Sequence, residues 1–303
     1  MAVAESTRVL LSQAWRASPA NANVQREHLA TGLKGLLRTG AGGLVWNKIR
    51  TRPDLIETTE GDAARGAARY LVLEHIKADD ALGILVNQLR DVPFGILLFK
   101  GKALGNHYRP GQLRPCGDID LMVAPEALGV VLEALEPVVA FWHEEPEDEL
   151  SGFLEQPEYP GSGTRVDLHA SLKRFRMPAN EAVFGAAISL DGSEPGRILA
   201  PSPEHHLRLV AIHFLRQGGW RPLWLCDVAA MVESAGGEFD WDDCLGQDPR
   251  TREWVSATIG LARELLDADV SGVPVEIDLG VPTWLKICVL REWSKSVSYT
   301  HLR

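Results

Sequence analysis

The sequence predicts an α+β fold in which a small mixed β-sheet is flanked by N-terminal and C-terminal helical regions. Three observations predict it. Apolar residues recur at helical spacing within the first 91 residues, short apolar or alternating segments follow up to about residue 200, and helical spacing then returns. We therefore divide the chain into residues 1–91, 92–200 and 201–295, and we interpret residues 296–303 (SVSYTHLR) as a non-native tail.

The first region is predicted to be helical. Between Ala63 and Leu89, apolar residues return every three or four positions, which is the spacing of one face of a helix. Gly40, Gly42 and Gly43 punctuate an earlier pair of helices. This region contains no constellation of residues that indicates catalysis.

The middle region is predicted to contain the sheet. Its predicted strands cover Gly95–Phe99, Asp118–Val123, Gly152–Gln156 and Thr164–Ala170. A helix with proline in its first turn covers Pro125–Leu135. The loop Pro157–Gly163 predicts a hairpin-like connection between the last two strands.

Four helices are predicted after residue 201. Ser202 and Pro203 are typical of an N-cap and a first helical position, and Gly218–Gly219 ends that helix. His205 and His206, which follow the N-cap, are predicted to be exposed. The three later helices cover Pro222–Ser234, Thr251–Leu266 and Thr283–Trp293.

The composition is that of an ordinary globular protein, with 303 residues of which 45% are hydrophobic and 24% charged. The net charge of −10 disfavours a long nucleic acid as partner, because gripping a phosphate backbone needs clustered Lys and Arg side chains. No apolar run approaches the roughly 18 residues of a membrane span, and the N-terminus lacks a secretory pattern. We therefore predict a cytoplasmic protein. The four cysteines are too widely spaced for a C-x-x-C motif, at Cys116, Cys226, Cys244 and Cys288.

The sharpest local pattern is a pair of acids at the start of a predicted strand. Asp118 and Asp120 would share one face of the strand, while the apolar residues between and after them face the other way. Two carboxylates held this close repel each other and need a cation or a proton. Asp167 and His169 share a face of a later strand in the same way. A bare D-x-D is also common at solvated strand edges, so the pattern gains its meaning from the other motifs.

Those motifs carry a resemblance. They comprise Leu98–Leu104 (LFKGKAL), Tyr108, Arg114, Gly117–Val123 (GDIDLMV), Val166–Leu172 (VDLHASL) and the later His213, Trp220 or Trp224, Leu225 and Asp227. Over roughly residues 95–235, the chain resembles the uncharacterised bacterial nucleotidyltransferases of the polymerase-β-like superfamily.

The resemblance implies a reaction and a set of roles. A nucleoside monophosphate would pass from an NTP to an acceptor hydroxyl of a small molecule or a protein, with release of pyrophosphate. Asp118 and Asp120 would hold the Mg²⁺ ion that bridges the triphosphate, and Asp167 with Asp120 would hold a second Mg²⁺ ion. Asp167 is also a candidate acceptor of the hydroxyl proton.

One departure concerns phosphate binding. The broader superfamily uses a glycine-serine pair to grip phosphate, but here Gly101 is followed by Lys102 and no serine is present. Backbone N–H groups after Gly101, or the side chains of Lys100, Lys102 or Arg114, are the candidate replacements. Arg114 is equally a candidate ion-pair partner of an active-site acid.

The remaining polar residues leave alternatives open. His169 is a candidate to orient Asp167 or to approach the substrate. Tyr108, His213 and Asp227 are interpreted as packing or structural residues.

The function also has alternatives. One is a catalytically silent nucleotide-binding or antitoxin-like partner on the same fold, which the missing serine favours. Another is a helical interaction protein whose sheet is only a scaffold. The sequence does not predict the nucleotide, the acceptor or the oligomeric state.

Overall fold

The computed structural model describes residues 2–108, 114–143, 149–156, 163–190 and 198–295. It separates into two compact units. The first, which we call the helical unit, comprises Met1–Leu71, His107–Leu113 and Val210–Arg303. The second, the sheet unit, comprises Val72–Asn106 and Arg114–Leu209. The interpreted tail at 296–303 lies outside the described residues.

Within the described ranges the chain forms twelve α-helices. They are α1 (Ala2–Leu11), α2 (Arg26–Arg38), α3 (Gly42–Ile49), α4 (Pro53–Ile56), α5 (Thr59–Leu89), α6 (Leu128–Leu135), α7 (Asn180–Gly185), α8 (Pro203–Arg216), α9 (Pro222–Ser234), α10 (Trp241–Leu245), α11 (Pro249–Leu266) and α12 (Thr283–Ser294). Short 3₁₀ helices cover Gly101–His107, Pro125–Ala127 and Lys173–Phe175. None of the helices in the described part of the chain is both long and apolar enough to cross a bilayer.

Seven strands among the described residues form one mixed sheet in the sheet unit, which confirms the predicted α+β fold. They are β1 (Ile96–Phe99), β2 (Asp118–Val123), β3 (Val139–His143), β4 (Glu149–Leu154), β5 (Thr164–His169), β6 (Ile188–Ser189) and β7 (Ile198–Ala200), in the order β3-β4-β5-β2-β1-β7-β6. The central pair, β2 and β5, is parallel. β1 pairs with β2 in antiparallel fashion on one side, and β4 pairs with β5 in the same way on the other.

One face of this sheet is covered by the C-terminal part of α5 and by α6. Alternate residues of the central strands are fully buried there, including Ile119, Leu121, Val166 and Leu168. They pack with side chains such as Leu85 of α5 in one hydrophobic cluster. Because side chains alternate along a strand, the residues between them lie on the opposite face. Because the apolar residues of β2 and β5 face this hydrophobic cluster, the acids of the same strands lie on the opposite face of the sheet.

The helical unit joins both ends of the chain. Arg16, after α1, forms an ion pair of 2.6 Å with Glu233 of α9, and the indole of Trp15 donates to the same carboxylate. In this unit Tyr108 donates a hydrogen bond of 2.7 Å to the buried Asp227. The predicted division into three regions stays a prediction, while the contacts place the N-terminal and C-terminal helices in one unit.

Most predicted elements appear with small shifts. The predicted strand at Gly152–Gln156 starts earlier, at Glu149, and the predicted helix at Pro125 begins as a 3₁₀ turn before α6. The strands β3, β6 and β7 were not predicted. The prediction that His205 and His206 are exposed is wrong, because both are buried at 3% and 1% exposure.

Candidate active site

The three predicted acids lie on neighbouring positions of the sheet. Asp120 of β2 and Asp167 of β5 are direct partners in the parallel pair, so their backbones are about 4.8 Å apart. Asp118 is two residues before Asp120 on the same strand and the same face, roughly 7 Å along it. The structure therefore places all three carboxylates on the face of the sheet opposite the hydrophobic cluster.

Asp120 is the central acid, and it is held by two basic groups. The ammonium of Lys100 donates to Oδ1 of Asp120 at 2.8 Å, and Nε2 of His169 lies 3.4 Å from the same oxygen. Burial disfavours the charged form of Asp120, but Lys100 and His169 outweigh it and hold the pKa of this carboxyl well below its usual value. Asp120 is therefore ionised at neutral pH although its residue is only 4% exposed.

The pKa of Asp118 is shifted in the opposite direction to that of Asp120. Burial and the negative charges of Asp120 and Asp167 raise the pKa of Asp118, while Lys100 and Arg114 oppose the rise. Asp120 and Asp167 therefore both act on Asp118 as like charges. Such a set gains stability from any cation that they share.

Asp167 is oriented by two donors that also contact each other. The hydroxyl of Ser151 on β4 donates to Oδ1 of Asp167 at 2.7 Å, and Nε of Arg165 donates to the same oxygen at 2.8 Å. The guanidinium of Arg165 also donates to the Ser151 hydroxyl, at 2.7 Å. The sequence analysis missed Ser151, which lies one residue before the predicted start of its strand and is the direct partner of Asp167 in the ladder.

His169 contacts Asp120 rather than Asp167. Arg174 lies 3.2 Å from Nδ1 of His169, and a guanidinium can only donate, so Nδ1 accepts and Nε2 carries the proton toward Asp120. The imidazole meets the ring of Phe99 edge to face at 5.1 Å. These contacts place His169 as an orienting partner of Asp120, and its predicted contact with substrate stays a prediction.

A strained turn at the end of β1 orients the side chain of Lys100 toward Asp120. Lys100 has φ +53° and Gly101 has φ +22°, directly after β1. The backbone N–H of Lys100 donates to Nε2 of His206 at 3.0 Å, so this buried histidine has a partner in the turn. His206 is the second residue of this site that the sequence analysis missed.

The other two predicted phosphate contacts are Lys102 and Arg114, of which Arg114 lies beside the turn at Gly101. Lys102 forms an ion pair of 2.5 Å with Asp79 of α5 and not with one of the three acids. Arg114 is buried and donates to the carbonyl of Pro115 at 2.6 Å. Its charge lowers the pKa of Asp118 only as a minor contribution. The roles of Lys102 and Arg114 in phosphate binding stay predictions.

The sequence matches a model of a protein family over residues 34–267, a range that contains every candidate site residue named above. The family is described as uncharacterised nucleotidyltransferase. The chain belongs to this family.

The other comparisons add one structure. A nucleotidyltransferase-like antigenic protein from Paracoccidioides brasiliensis is similar over 64% of this chain and 94% of that one, with 16% sequence identity and a TM-score of 0.44. The comparison with curated proteins found no match.

The acidic site of this nucleotidyltransferase family member offers carboxylate oxygens to a divalent cation. Among the described residues, no three His, Cys, Asp or Glu side chains are gathered closely enough to hold a metal ion as they stand. Every described hydrogen bond to Asp120 and Asp167 ends on Oδ1, which leaves Oδ2 of each as a candidate ligand. Carboxylates are the hard oxygen donors that Mg²⁺ prefers. The chemical type of the donors suits the ion, while in the present arrangement Lys100 and Arg165 are the counter-ions of Asp120 and Asp167.

Proposed function

We propose that the chain is a Mg²⁺-dependent nucleotidyltransferase that moves a nucleoside monophosphate from an NTP to a hydroxyl group and releases pyrophosphate. The observation that carries the proposal is the placement of Asp118, Asp120 and Asp167 on one face of adjacent strands. Membership of a nucleotidyltransferase family supports the reaction class.

Each acid has its own part in the proposed reaction. Asp118 and Asp120 would hold the cation at the triphosphate, and Asp120 with Asp167 would hold a second one. Bound Mg²⁺ would supply charge neutralisation at the phosphates and a lowered pKa of the acceptor hydroxyl. Asp167 is fixed through Oδ1 by Ser151 and Arg165, so its other oxygen is the candidate acceptor of the hydroxyl proton.

The proposed acceptor is a hydroxyl of a small molecule or a protein side chain. The net charge of −10 disfavours a long nucleic acid, because association with one depends on clustered cations. A cytoplasmic location remains part of the proposal.

Pyrophosphate release tests this function. We expect wild type to release pyrophosphate from at least one of the four NTPs with Mg²⁺ and an acceptor mixture, and Asp120→Asn to lose about 10²–10³-fold or more of that rate. Asparagine keeps the size of the side chain and still accepts from Lys100, so the fold, checked by circular dichroism, is expected to persist.

Asp91→Asn is the matched control. It removes a carboxylate that is 89% exposed and that pairs only at the surface with Arg90. We expect its rate to equal that of wild type. Equal rates for Asp120→Asn and wild type would remove the proposed mechanism.

A second candidate is a catalytically silent nucleotide-binding protein. The ion pairs of Asp120 with Lys100 and of Asp167 with Arg165 favour it, since both acids already have counter-ions. Saturable NTP binding without pyrophosphate release under any of the conditions above would support this candidate over the enzyme.

A further inference from the structure

Lys100 is an internal cation of the acidic site. Its ammonium lies 2.8 Å from Asp120, and the side chains of the two residues are 14% and 5% exposed. The ammonium also lies 5.0 Å from the ring centre of Phe99 and 5.2 Å from that of Phe175. Two aromatic faces and a buried carboxylate therefore surround this one charge, which is the environment of a fixed cation rather than a solvated lysine.

The backbone of the turn also holds this lysine in place. Lys100 has φ +53°, a conformation that residues other than glycine rarely adopt. The buried His206 accepts its N–H, and the space beside Gly101 is closed by the carbonyl of Asp118 and by Sγ of Cys116. A strained conformation of this kind persists only when its surroundings determine it. These contacts of the turn hold Lys100 in the position from which its ammonium pairs with Asp120.

Asp120 is the acid that two divalent ions would have to share. It lies between Phe99 and Asp167 in the ladder and two residues after Asp118 on its own strand. Lys100 already occupies one of its two oxygens. The charge count points the same way, because three carboxylates with the ion-paired Lys100 and Arg165 leave a formal charge of −1, which the nearby guanidinium of Arg114 offsets. One divalent ion makes the site positive, and a second needs negative charge brought by another molecule.

We propose that Lys100 takes the place of one of the two divalent ions at Asp120, so that the nucleotide-free protein binds a single divalent cation. The inference rests on the proposed function, in which the three acids form the metal site. It assigns Lys100 as the resident counter-ion of Asp120 and His206 as the residue that positions it. A second ion then enters only together with the triphosphate, whose negative charges offset it.

The test is a titration of the full chain with Mn²⁺ alone, with free Mn²⁺ counted by electron paramagnetic resonance. We expect wild type to bind one ion per chain and Asp167→Asn to weaken that binding at least tenfold. We expect Lys100→Met, which keeps the length of the side chain but removes its charge, to bind two ions per chain. Lys100→Arg keeps the charge and is expected to bind one.

Lys286→Met is the matched control for this titration. It removes the same charge from a lysine that pairs with Glu264 at 2.7 Å in the helical unit, so we expect one ion as in wild type. Thermal unfolding followed by circular dichroism establishes that each variant is folded. If Lys100→Met does not fold, the wild-type count decides, because one ion supports the proposal and two overturn it.

The remaining outcomes separate the two proposals. If wild type and Lys100→Met both bind one ion with equal affinity, the inference about Lys100 fails while the proposed function stands. If neither binds an ion that depends on Asp167, the inference fails, and the pyrophosphate assay alone decides the proposed function.

Discussion

At the scale of single residues, the carboxylate of Asp167 is held in its orientation by side chains that are not acids of the site. One of its oxygens accepts from Ser151 and from Arg165, and these two donors contact each other. Ser151 is 1% exposed, so its hydroxyl is largely shielded from solvent. A partner of this kind fixes the carboxylate without touching a ligand, and such partners commonly affect metal affinity.

We therefore expect Ser151→Ala to lower Mn²⁺ affinity and pyrophosphate release by about 10–100-fold while retaining the fold. Isothermal titration with Mn²⁺ and the pyrophosphate assay measure the two effects. Ser256→Ala, which removes a serine 7% exposed on α11 in the helical unit, is the control and is expected to change neither. Wild-type affinity in Ser151→Ala would show that Arg165 alone is sufficient.

The three acids were predictable from the sequence, but Ser151 and His206 were not. Asp118, Asp120 and Asp167 follow from alternation, since residues two apart on a strand share a face. Ser151 reaches Asp167 through the register of β4 and β5. His206, at the start of α8, reaches Lys100, which is distant from it in sequence. No local pattern carries that information.

At the scale of elements, the turn after β1 determines where Lys100 points. A Cβ atom on Gly101 would lie 3.1 Å from the carbonyl oxygen of Asp118 and 3.2 Å from Sγ of Cys116, and its φ is +22°. Glycine is required there by both space and conformation. Gly105, in the same 3₁₀ helix, has nothing within 4 Å of the same position.

Gly101→Ala is consequently expected to reduce the free energy of unfolding by about 1–2 kcal/mol and to weaken the Lys100–Asp120 pair. Urea denaturation measures the first effect and the Mn²⁺ titration the second. Gly105→Ala is the matched control, with a change expected within about 0.5 kcal/mol of zero or slightly stabilising. Identical stability of the two variants would show that the turn relaxes freely.

Strands were predicted according to their length and pattern. β2 and β5 have clear alternation, with acids facing one way and apolar residues the other. β6 and β7 have two and three residues, which is too short for any period to be recognised. β3 lies in a short apolar run that follows Glu136 and Pro137 after α6, and periodicity alone cannot assign so short a run to a strand or a helix.

At the scale of the whole molecule, the sequence predicted the fold class but not the grouping of helices. Hydrophobic periodicity identifies a helix and its buried face, yet not the element that covers this face. The ion pair between Arg16 and Glu233 joins segments more than 200 residues apart and unites both ends of the chain in the helical unit. The family match at residues 34–267 includes parts of both units.

The proposed cation site of Asp118, Asp120 and Asp167 is tested most directly by an anomalous-difference map. The crystals would contain the full chain, Mn²⁺ and a non-hydrolysable NTP analogue. We predict Mn²⁺ peaks within coordination distance, about 2.0–2.3 Å, of carboxylate oxygens of Asp118, Asp120 and Asp167, next to the phosphates. Nucleotide bound with its phosphates and Mn²⁺ remote from these three acids would contradict the site and the function proposed for it.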